Sequence, residues 1–134
     1  MDEHNLSETE QMYLMSVILL EERGAPLPVA ISLVADYLGV ASVSVNQMVH
    51  KLSGLGWLEY LPYQGIRLTP RGEALAYHVL RHRRLWQVFL EDKLGLDAEL
   101  ADEIACRLEH LVPCEAVQRL GRFLGEPAYT RAGL

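Results

Sequence analysis

Between residues 31 and 69 three short patterns follow one another with almost no spare chain, and this succession limits the fold more than any other feature of the sequence. Ser32 is placed to cap a helix whose buried face is Leu33, Val34, Tyr37 and Leu38, and Gly39 ends it because glycine takes positive φ at little cost. A short turn, Gly39 to Ala41, follows. Ser42 then opens a helix with Val45, Met48, Val49 and Leu52 at i, i+3, i+4 and i+7, one apolar stripe that leaves Ser44, Asn46, Gln47, His50 and Lys51 facing outward. Gly54 and Gly56 stop it, and Trp57 to Pro62 and Tyr63 to Thr69, rich in aromatic and β-branched residues around Gln64-Gly65, form a two-stranded hairpin. Helix, tight turn, helix and hairpin in this order predict a winged helix-turn-helix.

The flanking segments are helical. Ser7 followed three residues later by Glu10 is a capping-box spacing, and Met12, Met15, Ile18 and Leu19 recur at helical intervals until Gly24, Pro26 and Pro28. Thr69 as N-cap and Pro70 as first helical residue start a long helix that runs to about Lys93 before Gly95. Asp97 caps the next helix, through about Leu111, and Pro113 begins a last short one that stops at Gly125. The expected fold class is therefore mainly α: a winged helix-turn-helix DNA-binding domain over residues 1–72, then an all-helical domain over 73–134.

Charge narrows the function. The 134 residues are 50% hydrophobic and 22% charged with a net charge of −6, which excludes a chain coated in basic residues and restricts any nucleic-acid contact to a local patch. Residues 29–72 sum to +1, against −5 for residues 1–28 and −3 for residues 73–111, so the helix-turn-helix block is where such a patch belongs. The apolar run Met12 to Leu20 is too short to span a bilayer and follows an acidic start, so neither a membrane anchor nor a signal peptide is expected. With two cysteines, Cys106 and Cys114, a disulfide framework is not expected, and a reduced, cytoplasmic setting leaves the thiols for metal or redox chemistry.

Three groups of residues are candidates for chemistry. On the second helix of the motif, Ser42, Ser44, Asn46 and Gln47 offer hydroxyl and amide groups to base edges, while Lys51, the wing residues Tyr63, Gln64 and Arg67, and Arg71 are candidates for the DNA backbone, with Ser32 at the start of the preceding helix. The same row also reads as a solvated polar face. Cys106, Glu109 and His110 stand at i, i+3 and i+4, so thiolate, carboxylate and imidazole project from one helical face and suit a borderline divalent transition metal such as Fe(II), Co(II), Ni(II) or Zn(II). On spacing alone they also read as a small core cysteine beside a surface Glu–His pair. His78 and His82, at i and i+4, are candidates for a second metal pair that lacks an evident third ligand. No phosphate-binding loop, nucleophile elbow or Ser–His–acid arrangement is present, so an enzyme is not expected.

Several separate stretches coincide, in order, with one family. The sequence resembles the diphtheria-toxin-repressor and manganese-regulator family of metal-dependent bacterial repressors in Thr9-Glu10-Gln11-Met12-Tyr13-Leu14, in the helix-turn-helix, in Tyr63-Gln64-Gly65-Ile66-Arg67-Leu68-Thr69-Pro70-Arg71-Gly72, and in Cys106-Arg107-Leu108-Glu109-His110. The resemblance covers about residues 7 to 125 and implies a homodimer that binds double-stranded operator DNA when metal is bound. In its iron-type members a methionine before the first-helix tyrosine completes the activating site with a Cys, a Glu and a His, and Met12, Cys106, Glu109 and His110 fall on those positions. Manganese-type members carry Asp and Glu where this chain has Met12 and Cys106, so the resemblance and ligand softness favour Fe(II) over Mn(II).

The sequence departs from the family on the long helix. Arg83 and Gln87 replace the His and Glu that serve a second metal in relatives, and Asp102 stands at the position of a further ligand, so that site is expected to be absent or rebuilt. The sequence is also expected to lack the SH3-like C-terminal domain of longer relatives. Two other readings of the function remain at this point: a thiol redox switch using Cys106 and Cys114, and a winged-helix protein-interaction module with a structural metal.

Overall fold

The computed structural model describes residues 6–125, and these fall into two units, one up to Ala76 and one from Tyr77 onward.

In the first unit, helix α1 (Glu8–Glu22) begins on the expected capping box: Glu10 N–H donates to Ser7 Oγ at 3.1 Å and Ser7 N–H donates to Glu10 Oε1 at 3.0 Å. Its buried surface is wider than the stripe read from spacing. Tyr13, Leu14, Met15, Val17, Ile18 and Leu20 are buried while Met12 and Leu19 are half-buried, because a helix apolar nearly all round is surrounded rather than laid on one face. Ser16 is buried within it, and its hydroxyl donates to the Tyr13 carbonyl at 2.6 Å.

Helix α2 (Ile31–Leu38) starts earlier than predicted. Ala30 is the N-cap, without a side-chain bond, and Ser32 lies exposed in the first turn. The cause lies in the hairpin: Val29 N–H donates to the Ile66 carbonyl at 2.8 Å and the Val29 carbonyl accepts from Ile66 N–H at 2.9 Å, so the chain is extended through Val29 and turns helical directly after it. Val34 and Ala35 form the buried centre, Tyr37 and Leu38 are half-buried, and Leu33 moves to the exposed edge. Gly39, with φ of 71°, closes the helix as expected. Helix α3 (Ser42–Gly54) buries Val45, Val49 and Leu52 completely and Met48 in part.

Strands β1 (Leu58–Leu61) and β2 (Gly65–Leu68) pair antiparallel, with Glu59 opposite Arg67 and Tyr60 opposite Ile66. The corner sits at Pro62-Tyr63 rather than at Gln64-Gly65: Gln64 N–H returns to the Leu61 carbonyl at 3.0 Å and Tyr63 takes φ of 65°. Gly65 has a different task, since a Cβ there would meet the Val29 carbonyl oxygen at 2.2 Å. Thr69 caps helix α4 (Pro70–Val88), accepting from Gly72 N–H at 3.1 Å and donating to the Gly56 carbonyl at 2.8 Å.

In the second unit, α4 continues into a wider π-helical turn over Phe89–Lys93, and Gly95 then reverses the chain. Helix α5 (Ala98–Leu111) is capped by Asp97, which accepts from Leu100 N–H at 2.8 Å, and α6 (Cys114–Phe123) follows Pro113. Leu90, Ala101 and Ala105 form a small core with Trp86, Phe89, Leu96 and Ile104 against it. Among the described residues no helix is long and apolar enough to cross a membrane.

Candidate nucleic-acid interface and metal centre

The buried back of α3 presents its front. With Val45, Val49 and Leu52 anchored, Ser42, Ser44, Asn46, Gln47, His50 and Lys51 are all exposed. His50 Nδ1 donates to the Asn46 carbonyl at 2.8 Å and its ring tilts beside Tyr60, which steadies the middle of that face. At the hairpin tip Tyr63 and Gln64 are exposed, and Ser32 lines an open hollow of about 210 Å³ with Tyr60, Tyr63 and Gln64. Ser32 therefore stands beside the wing and does not cap α2.

The cations meant for phosphate are engaged within the unit. Lys51 pairs with Glu10 of α1, a partner that spacing did not suggest, and this contact together with the Ser7 N–H holds the Glu10 carboxyl below its ordinary pKa against partial burial. Arg67 Nε donates to Glu59 Oε1 at 2.7 Å across the hairpin, both side chains being about half exposed. Arg71, though exposed, is held against its own unit: it donates to the Leu55 carbonyl at 3.0 Å and its guanidinium lies 3.8 Å from the Trp57 ring centroid, so it braces the start of α4.

In the second unit Cys106 and Glu109 occupy successive turns of one face of α5, Cys106 half-buried and the Glu109 side chain with 0% exposure. His110 lies on α5, and its side chain is outside the described residues. Met12 belongs to the first unit, half-buried on α1. Arg83 bridges acidic groups of α5: its Nη2 donates to Asp102 Oδ1 at 2.8 Å and its Nε lies 3.9 Å from Glu109 Oε1. Burial works against the charge on Arg83, but the Asp102 hydrogen bond and the Asp102, Glu109 and Cys106 charges outweigh it and raise its pKa. The departures at 83 and 102 thus form an ion pair with each other.

His78 and His82 stand together on α4 with ring centroids 4.5 Å apart, and Cys114 Sγ lies 3.3 Å from His78 Nε2. The pair therefore has a third donor, 36 residues beyond His78 in sequence, where no spacing rule looks. Burial pushes the His82 imidazole down to about 4, His78 and Arg81 add to this, and a hydrogen bond to the Glu109 backbone opposes it.

A winged helix-turn-helix with an exposed polar row, followed by a helical unit with a thiol and a carboxyl on one face, defines a DNA-binding regulator with metal-ligating capacity. Comparison with known proteins supplies the family. Residues 5–66 match the family described as iron dependent repressor, N-terminal DNA binding domain, and residues 69–133 match iron dependent repressor, metal binding and dimerisation domain. The chain is 34% identical over 120 residues to the HTH-type transcriptional regulator MJ0568 of Methanocaldococcus jannaschii, covering 89% of this chain and 94% of that protein. It is 35% identical over 123 residues to the diphtheria toxin repressor of Corynebacterium efficiens, covering 91% of this chain and 52% of that protein, so it spans about half the length of such relatives. Among solved structures, the manganese regulator SloR superposes with a TM-score of 0.74 at 32% identity over 88% of this chain and 54% of that one. The metal-dependent transcriptional regulator MtsR gives 0.79 at 27% identity over 91% and 56%. The chain belongs to the iron-dependent repressor family of metal-dependent transcriptional regulators.

Proposed function

We propose that this chain is an Fe(II)-activated, cytoplasmic repressor that binds operator DNA as a homodimer, with residues 1–72 reading DNA and residues 73–134 serving dimerisation and metal binding. The observation that carries the reading is Glu109, a carboxylate with no exposed side-chain surface, one helical turn from the Cys106 thiol in a chain that also presents the α3 polar row. Met12, Cys106, Glu109 and His110 are the proposed ligands. Thioether, thiolate, carboxylate and imidazole together fit a borderline divalent ion, and the two sulfur donors favour Fe(II) over Mn(II), with Co(II), Ni(II) and Zn(II) as further occupants. When bound, the ion supplies a link between the α1 donor and the α5 donors. The conformer that assembles the ligands is then also the one that docks on DNA, which is what coupling between the two sites requires.

Asn46 and Gln47, with Ser42 and Ser44, read base edges from α3, while Lys51, Arg67 and Gln64 hold the backbone and Ser32 flanks the wing. Lys51 and Arg67 exchange the carboxylates of Glu10 and Glu59 for phosphate on binding.

The test is an anaerobic titration of the reduced chain with Fe(II) and Mn(II), followed by fluorescence anisotropy on DNA from its own promoter region. Metal is expected to tighten binding by at least about fivefold, the low end of usual coupling. Equal affinity with chelator and with Fe(II) overturns the reading. Glu109→Ala is expected to lose the response while keeping the circular dichroism of the parent.

A further inference from the structure

We propose that His78, His82 and Cys114 form a second metal site, sharing no ligand with the set above, for a borderline-soft divalent cation of the Zn(II) class. Each residue offers one donor atom, and the three donors lie within 4.8 Å of one another. Zinc–nitrogen bonds near 2.0–2.1 Å and zinc–sulfur bonds near 2.3 Å place donors of a tetrahedral ion about 3.3–3.7 Å apart. His78 Nε2 and Cys114 Sγ already meet that spacing at 3.3 Å, and side-chain rotations of about 1 Å bring in the remaining donor.

The surroundings suit a cation. His82 is 5% exposed, and its ring hydrogen-bonds to the backbone of Glu109; a neutral imidazole that donates one N–H to a carbonyl keeps its lone pair on the other nitrogen, the usual arrangement of a metal-bound histidine. His78 and Cys114 are half-buried, which leaves solvent access for a fourth, water ligand. Arg81 is a cation felt at His82, and a thiolate formed at Cys114 on metal binding would offset it. Two imidazoles and a thiolate, with no carboxylate, disfavour Mg(II), Ca(II) and Mn(II), and Zn(II) outcompetes Fe(II) at such a set. The occupant joins α4 to α6 and, through His82, fixes the backbone of Glu109 on α5.

The test uses the full chain carrying Cys106→Ser, reduced and stripped of metal, so that Cys114 is the sole thiol. Titration with Co(II) is expected to give a thiolate-to-cobalt charge-transfer band in the near ultraviolet that Zn(II) bleaches. The band should vanish on adding Cys114→Ser, and His82→Ala should weaken Co(II) binding by at least about tenfold. Absence of the band, or its survival after Cys114→Ser, overturns the site. If the double variant fails to fold, alkylation of Cys114 in the Cys106→Ser chain decides: Zn(II) is expected to slow it about tenfold or more, and an unchanged rate overturns the proposal. The DNA response is read separately in the chain that keeps Cys106, and adding Glu109→Ala to the Cys106→Ser chain is expected to leave the cobalt band in place.

Discussion

Arg83 stands where the family resemblance places a metal ligand, and it forms ion pairs instead. Its side chain is 13% exposed and it engages Asp102 and Glu109, so Arg83→Met leaves two acidic groups of α5 without their cation and is expected to cost about 1–3 kcal/mol in urea denaturation. Arg67→Ala, at a pair with 55% and 54% exposure, is expected to stay within about 1 kcal/mol. His82 supplies a pH dependence. Its folded pKa of about 4 lies below the ordinary 6.5, so the native state takes up fewer protons than the unfolded chain between these values. The His82 contribution to stability is complete above about pH 6.5 and is lost as pH falls toward about 4, and His82→Gln should flatten that part of the urea midpoint profile. A profile unchanged by the substitution would place the proton uptake elsewhere.

At the scale of elements, α3 and the hairpin divide specificity from affinity. Asn46→Ala is expected to alter base preference, while Lys51→Ala should weaken binding to all sequences alike and lower the salt slope by about one. A changed preference after Lys51→Ala would contradict its assignment to the backbone. Glu10→Gln keeps a capping-box side chain and releases Lys51 from its carboxylate, so tighter DNA binding at low salt is the expected result. The junction of Val29 with the hairpin is intolerant: Gly65→Ala places a Cβ 2.2 Å from the Val29 carbonyl oxygen at φ of 139°, and a loss of about 2 kcal/mol or more is expected.

For the whole molecule, the helical unit leaves Leu100, Leu111 and Phe123 exposed at 42%, 72% and 65%, a surface that the proposed dimer would cover. Leu100→Glu together with Leu111→Glu is expected to give a monomer in sedimentation and to lose operator binding while single-unit stability persists. A variant that remains dimeric would put the interface elsewhere. Metal at one hundred times its dissociation constant should stabilise the folded chain by about 2.7 kcal/mol per site, and the number of sites can be read from the titration.

The order of elements was legible because each boundary is a local event. The Ser7–Glu10 box, Gly39, the Thr69-Pro70 start and the Asp97 cap depend on residues a few positions apart, and the buried stripe of α3 follows from helical period alone. The Cys106–Glu109 spacing was visible for the same reason. What failed was decided by residues distant in sequence: the pairing of Val29 with Ile66 that moves the start of α2 ahead of Ser32, and the proline corner that shifts the hairpin turn once Gly65 is taken by Val29. Lys51 with Glu10, Arg83 with Asp102 and Glu109, and Cys114 beside His78 belong to the same class. Periodicity and capping are set by backbone geometry within one or two turns, so the chain alone determined which helices form and which faces they offer. Which side chains from different helices meet depends on how those helices pack, and only the tertiary structure decided that.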